Sequence, residues 1–269
     1  MTQSHPSEEK MNPNQWLKIA GLQTNIAWED KTENFRRIRN LVDPLNDIDL
    51  YILPETFTTG FTMRSEAFAE KQEGETETFL HSLAIQKNAY FGGSWIEKNA
   101  GLPPFNTFSI VGKDGVVARY RKIHPFSFAK EDLFFTSGKE VLTFTYKGFQ
   151  ICPLICYDLR FPETFRKVVG SDLYIVIGNW PSSRIFAWVS LLKARAIENQ
   201  AYVVGVNRVG VAGRKEKIFH NGYSCYFSPQ GEEKILQSEQ EDVLRVSLSI
   251  EELSRFRDFF PYLKDIKKI

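Results

Sequence analysis

Apolar runs of strand length alternate along this chain with stretches in which apolar residues recur every three or four positions. Trp16–Gln23 (WLKIAGLQ) reads as a strand, and Lys31–Val42 as a helix with Phe35, Ile38, Leu41 and Val42 on one face. Residues 49–53 (DLYIL) are almost wholly apolar, the pattern of a strand covered on both faces. A helix is predicted over 77–88 and a strand over 89–95. Residues 106–111 and 116–121 flank Gly112-Lys113-Asp114-Gly115, and 141–146 and 149–155 flank Lys147-Gly148, so two β-hairpins are expected. Beyond them the pattern predicts a helix over 162–169, a buried strand over 173–177 and a four-turn helix over 186–200. Strands are expected at 201–207, 223–227 and 243–247, with a turn at Pro229-Gln230-Gly231. Ser249, followed by Glu251 and Glu252, is a good helix entry, and Pro261 ends that helix, leaving an extended basic tail.

Helices between strands imply parallel pairs, and hairpins imply antiparallel ones. The expected fold class is therefore α/β with mixed sheets covered by helices. No Pro/Ser-rich linker, charge block or repeat interrupts 16–269, which reads as a single domain. Residues 1–15 hold no apolar run and read as a disordered tail, without the pattern of a signal peptide.

Composition narrows the function. Of 269 residues, 42% are apolar and 25% charged, an ordinary globular balance that excludes disordered, collagenous and coiled-coil chains. The 34 basic and 33 acidic residues nearly cancel, which argues against nucleic acid or an anionic membrane as a partner. No window approaches the roughly 20 apolar residues of a membrane helix. Three cysteines cannot form a disulfide framework and suit a reducing, cytoplasmic location.

Several motifs fail. Gly92-Gly93 lacks dinucleotide-loop spacing, and no phosphate-binding GxxxxGK[ST] occurs. A phosphatase loop needs Arg six positions after its cysteine, where Cys156 has Pro162. Cys152 and Cys156 have no second Cys/His pair at zinc spacing, so no metal site is expected. A Cys–His pair of Cys156 with His124 or His220 has nothing positive in its favour.

Three patterns share one feature, a reactive side chain directly after an apolar strand. LYILPET places Glu55 there, ARYRKIHPF places Lys122, and FQICPLICYDLRFPE places Cys156 where a strand turns into a helix. Strand ends are where α/β proteins gather their sites. Taken singly, each has an ordinary reading: a solvated loop glutamate, a surface lysine, a core cysteine. Cys152 and Cys225 keep that last reading. Only the set of three lifts Cys156 above it.

These three segments resemble the Glu–Lys–Cys triad of the nitrilase superfamily, the carbon–nitrogen hydrolases, and the likeness runs from about Trp16 to the C-terminal helix. LPETFTTGFTM (53–63), CYDLRFPE (156–163), GNWPSSR (178–184), LLKARAIENQAYVVGVNRVG (191–210) and FRDFFPYLKD (256–265) are similar to its ω-amidase branch. That resemblance implies a four-layer αββα sandwich, a homodimer, no cofactor, and hydrolysis of α-keto acid amides such as 2-oxoglutaramate. It assigns Cys156 as nucleophile, Glu55 as proton carrier and Lys122 as oxyanion stabiliser, and matches a second glutamate to Glu131. Tyr157 would add a backbone N–H to the oxyanion. Water is the co-substrate.

On this reading a helix N-terminus beside a cation should lower the thiol of Cys156 below its usual pKa of about 8.5. Asp158 and Arg160 are expected to form an ion pair under the turn, and His124 to be structural. A keto acid's short chain needs apolar walls, for which Phe61, Met63, Phe126 and Trp180 are candidates, and its carboxylate needs a cation, for which Arg184 is best placed. An N-carbamoyl-amine hydrolase or nitrilase would share the triad and differ in pocket shape. A non-catalytic binding protein would not need all three residues, and an acyltransferase would need an acceptor site that nothing in the sequence demands.

Overall fold

The computed structural model describes residues 16–213 and 217–267. The first fifteen residues, read above as a tail, lie outside them. The strands are β1 (Trp16–Gln23), β2 (Leu50–Ile52), β3 (Tyr90–Glu97), β4 (Phe105–Gly112), β5 (Gly115–Arg121), β6 (Phe144–Tyr146), β7 (Phe149–Ile155), β8 (Leu173–Gly178), β9 (Tyr202–Asn207), β10 (Val209–Ala212), β11 (Ile218–Asn221), β12 (Cys225–Phe227), β13 (Glu233–Ile235) and β14 (Asp242–Ser249). The helices are α1 (Lys31–Val42), α2 (Ser65–Phe68), α3 (Glu75–Lys87), α4 (Pro162–Arg166), α5 (Ile185–Asn199) and α6 (Ile250–Phe259). One six-stranded sheet has the order β14-β1-β2-β3-β4-β5 and the other β13-β12-β9-β8-β7-β6, with β10 and β11 paired separately. Each large sheet has a parallel centre, β1-β2-β3 or β7-β8-β9, extended by antiparallel strands.

The period of two along the strands sorts side chains into layers. Leu17 and Ile19 of β1, Leu50 and Ile52 of β2, and Phe108 and Ile110 of β4 share one buried cluster with Leu154, Ile175 and Val204 of the other sheet. The alternate residues, Ala20, Leu22, Tyr51, Leu53 and Phe91, pack with Ile38 and Val42 of α1 and Phe79, Leu80 and Leu83 of α3. Trp188, Leu192 and Ala196 of α5 cover the second sheet. The layers therefore run helix, sheet, sheet, helix, the expected αββα sandwich. Two glycines permit the close approaches. A Cβ on Gly21 would lie 2.9 Å from Val206 Cγ2, between the sheets, and one on Gly205 would lie 2.4 Å from Leu192 Cδ1, under α5.

Local differences from the sequence pattern have physical causes. Helix α3 starts at Glu75, because Glu70, outside the helix, accepts the N–H of Thr76 at 2.8 Å and caps the first turn. The helix expected over 162–169 stops at Arg166, where N–H groups of Val168 and Ser171 bond three residues back and Gly170 takes φ +98°. Residues 156–160 form a 3-10 turn in place of a helix start. The tail after Pro261 is a 3-10 turn at 262–265, tied to the α5 end by the Tyr262 hydroxyl on the Ile197 carbonyl. The short strands β10, β11 and β13 had no counterpart in the pattern.

Leu154 is fully buried in the core shared by the two sheets. Leu154→Ala should lower the unfolding free energy by about 3 kcal/mol, read as a fall in urea midpoint at unchanged slope.

Candidate active site

Strands β2 and β5 run in the same direction, since β3 is parallel to β2 and two antiparallel steps separate β3 from β5. Their C-terminal ends therefore share one edge of the first sheet, where Glu55 follows β2 after Pro54 and Lys122 follows β5 directly. Cys156 follows β7 in the second sheet, and Asn179 follows the parallel β8. The sandwich brings these four strand ends together.

Lys122 Nζ donates to Glu55 Oε1 at 2.8 Å and to Glu131 Oε1 and Oε2 at 3.1 and 2.9 Å. All three side chains are shut off from solvent. Asn106 Nδ2 donates to Glu55 Oε1 at 2.9 Å, and the backbone N–H of Asn179 donates to Glu55 Oε2 at 2.9 Å. The N–H of Phe126 donates to Glu131. Burial opposes the ammonium charge, but Glu131 and Glu55 outweigh it and raise the proton affinity of Lys122 well above the ordinary lysine range. Burial also pushes the Glu131 carboxyl up, against the pull of Lys122 and with the help of Glu55.

Cys156 opens the 3-10 turn with φ +47°, a left-handed conformation that a side-chain-bearing residue adopts only under constraint. Its thiol does not follow the lowering expected from the sequence. Burial and the charge of Glu55 push it well above the ordinary thiol range; Lys122 opposes them, and a hydrogen bond with Glu55 adds to the rise. Cys156 therefore rests as a neutral thiol, because a five-residue 3-10 turn supplies too little dipole to offset burial.

The expected Asp158–Arg160 ion pair does not form. Asp158 instead accepts from the Tyr120 hydroxyl at 2.7 Å, the N–H and Nδ1 of His124 at 3.0 and 2.8 Å, and the N–H of Ile155 at 3.1 Å. Tyr120 and His124 flank Lys122 by two residues on either side, and Asp158 lies two beyond Cys156. One buried carboxylate thus ties the lysine strand to the cysteine turn. His124 also stacks on Phe161 at 3.8 Å between centroids. Arg160 is exposed, with its guanidinium 5.0 Å from the Trp180 ring centre.

Glu55 and Cys156 line one cavity with Phe61, Phe126, Tyr157, Trp180 and Arg184. Met63, expected as a wall, is not among the lining residues. Arg184 sits 5.3 Å from the Phe126 ring centre, and Lys122 Nζ is 5.4 Å from that of Phe61. The cavity is also lined by Trp28, Arg160, Asn179 and His220, none of which the sequence reading placed there. Asn179 carried a usable signal, since it too follows a buried strand directly. Asn106, which lies inside the N-terminal part of β4, carried none, and Trp28 lies in a loop without a motif.

The family model of carbon–nitrogen hydrolases matches residues 18–258. The chain is 37% identical to the omega-amidase YafV of Yersinia enterocolitica, over 94% of this chain and 97% of that one. It is 30% identical to a 2-oxoglutaramate amidase of Bacillus subtilis, over 93% of this chain and 97% of that one. Among solved structures it is similar to XC1258 of Xanthomonas campestris, a CN-hydrolase superfamily protein with an arsenic adduct in its active site. That similarity has a TM-score of 0.89 and 35% identity, over 94% of this chain and 98% of that one.

His220, on the cavity wall, is buried, and burial with the charge of Arg208 lowers its pKa from 6.5 to about 4. The unfolded chain takes up this proton as pH falls through 6.5, and the folded protein only near 4. Stability from this group is thus complete above 6.5 and lost between 6.5 and 4, by about 3 kcal/mol. Urea unfolding across that range should show the loss, and His220→Gln should flatten it.

Proposed function

The chain belongs to the carbon–nitrogen hydrolase family, and from that premise we propose that it is an ω-amidase, releasing ammonia from an α-keto acid amide such as 2-oxoglutaramate. The observation that carries this reading is the Lys122 ammonium held between Glu55 and Glu131, beside a cavity that Glu55 shares with Cys156. An amide needs a nucleophile, a proton carrier and a stabiliser for its oxyanion. Glu55 takes the thiol proton while the sulfur of Cys156 bonds to the amide carbon. Lys122 and the backbone N–H of Tyr157 stabilise the oxyanion. Glu55 then passes the proton to nitrogen, the C–N bond breaks, and ammonia leaves a thioester. Glu55 next draws a proton from water, the hydroxide displaces sulfur, and the acid departs as the thiol is restored. Glu131 keeps Lys122 charged and in place.

The aromatic walls Phe61, Phe126 and Trp180 suit a short carbon chain. Arg184, joined by Arg160, supplies positive charge for the substrate carboxylate, and the buried Trp28 Nε1, which has no partner among the described residues, is a donor for it. A neutral thiol nucleophile suits a reducing cytoplasm, and no helix among the described residues is long and apolar enough to cross a membrane. Val169, Ile197, Phe259 and Phe260 are exposed where Arg257 of α6 donates to the carbonyls of Ser171 and Gln200, and this apolar face supports a homodimer.

Purified protein should release ammonia from 2-oxoglutaramate in a coupled assay, and Cys156→Ala should abolish the release. Lys122→Met should cut kcat by about 100-fold or more. Turnover of nitriles or N-carbamoyl amines in place of keto acid amides would refute the substrate assignment. In sedimentation the wild type should run as a dimer, and the Phe259→Glu, Phe260→Glu double variant as a monomer.

A further inference from the structure

Buried polar atoms are nearly always hydrogen-bonded, so one without a partner on the wall of a reactive cavity calls for a physical account. Asn179 is 8% exposed and lines the cavity together with Glu55 and Cys156. Its Nδ2 donates to the backbone carbonyl of Glu55 at 2.6 Å and to Thr56 Oγ1 at 3.0 Å. A carbonyl can only accept, so this contact sets which end of the amide is nitrogen. The oxygen end, Oδ1, is buried and has no hydrogen-bond partner among the described residues. Asn106 Oδ1 shares that condition, but Asn106 does not line the cavity. The backbone N–H of Asn179 donates to Glu55 Oε2, so the residue is locked to the glutamate by both its main chain and its side chain.

We propose that Asn179 Oδ1 accepts the N–H of the scissile carboxamide and of the departing ammonia, making it the group that selects a nitrogen leaving group. This rests on the amidase reading above and specifies what the site recognises. Glu55 must deliver a proton to the leaving nitrogen, which therefore lies beside Glu55, where Asn179 is anchored. During acylation the S–C bond forms, the C–N bond breaks, and the thiol proton ends on nitrogen as its third hydrogen. That nitrogen changes from a planar amide to an amine bearing more positive charge, so its N–H groups become better donors as the barrier is climbed. An acceptor fixed there binds the transition state more tightly than the ground state. A nitrile brings no N–H to this oxygen. The leaving oxygen of an ester sets lone pairs against it.

The experiment compares kcat/KM for a primary amide and for the p-nitrophenyl ester of the same acyl group, in wild type and Asn179→Ala. The amide rate should fall about 10- to 100-fold further than the ester rate. Equal losses on both substrates would reduce Asn179 to a support for Glu55 and overturn the proposal. Asn179→Ser serves the same comparison if the alanine variant does not fold. A second measurement leaves Asn179 in place. In Cys156→Ala, which cannot acylate, the amide should bind about 10-fold or more tightly than the methyl ketone that replaces NH2 by CH3, and equal affinities would again overturn the proposal. If wild type turns over no amide, the amidase reading fails, while this binding comparison still decides the role of Asn179.

Discussion

An ammonium and two carboxylates removed from water together are the constraint on which the site depends. Each of Lys122, Glu55 and Glu131 would be costly to bury alone, and removing one partner of such a set leaves an uncompensated charge. They are tolerable only because Asn106 and the N–H groups of Asn179 and Phe126 complete the hydrogen bonding. Those donors come from β4, the end of β8 and the loop after Lys122. The network can close only when both sheets are stacked in register. Proton affinities follow from the same arrangement. The two carboxylates hold the proton on Lys122, while burial and Glu55 raise that of Glu131.

The cysteine completes a division of charge. Its thiol is neutral because burial and the charge of Glu55 raise its proton affinity more than Lys122 lowers it. In the proposed reaction the thiolate forms only as a proton passes to Glu55, so nucleophile and proton carrier act as one unit. The left-handed backbone at Cys156 has a cost, and the surrounding structure must hold it. Asp158 does much of this holding, through Ile155 on one side of the turn and through Tyr120 and His124 on the lysine strand. It is a positioning residue, acting on the site through the segments on either side of Lys122 and Cys156.

The cavity above this cluster has aromatic walls and cations. Arg160 and Arg184 lie over the rings of Trp180 and Phe126 on the cavity wall, and neither has a carboxylate partner among the described residues. A near-neutral protein surface with a locally cationic pocket suits a small anion better than a polyanion. That combination favours the keto acid amide within the range of substrates open to this family.

The apolar runs determined most of the strands and the three reactive residues at their ends, because burial on both faces forces continuous hydrophobicity and strand ends are where the chain is free to carry chemistry. Glu55, Lys122 and Cys156 could be read at strand ends without coordinates, and their resemblance as a set to the Glu–Lys–Cys triad set them apart from other strand-end residues. Short strands such as β10, β11 and β13 were not legible, since none is buried along its whole length as the equally short β2 is, and so none leaves a continuous apolar run. Nor were the protonation of Cys156, the partners of Asp158, or the roles of Asn106 and Asn179. Those depend on which groups from distant segments meet in a space closed to water, and electrostatic interactions there are set by distance and burial rather than by order along the chain. The sequence by itself thus determined which residues stand at the strand ends, and only the stacking of the two sheets decided which of them share a proton.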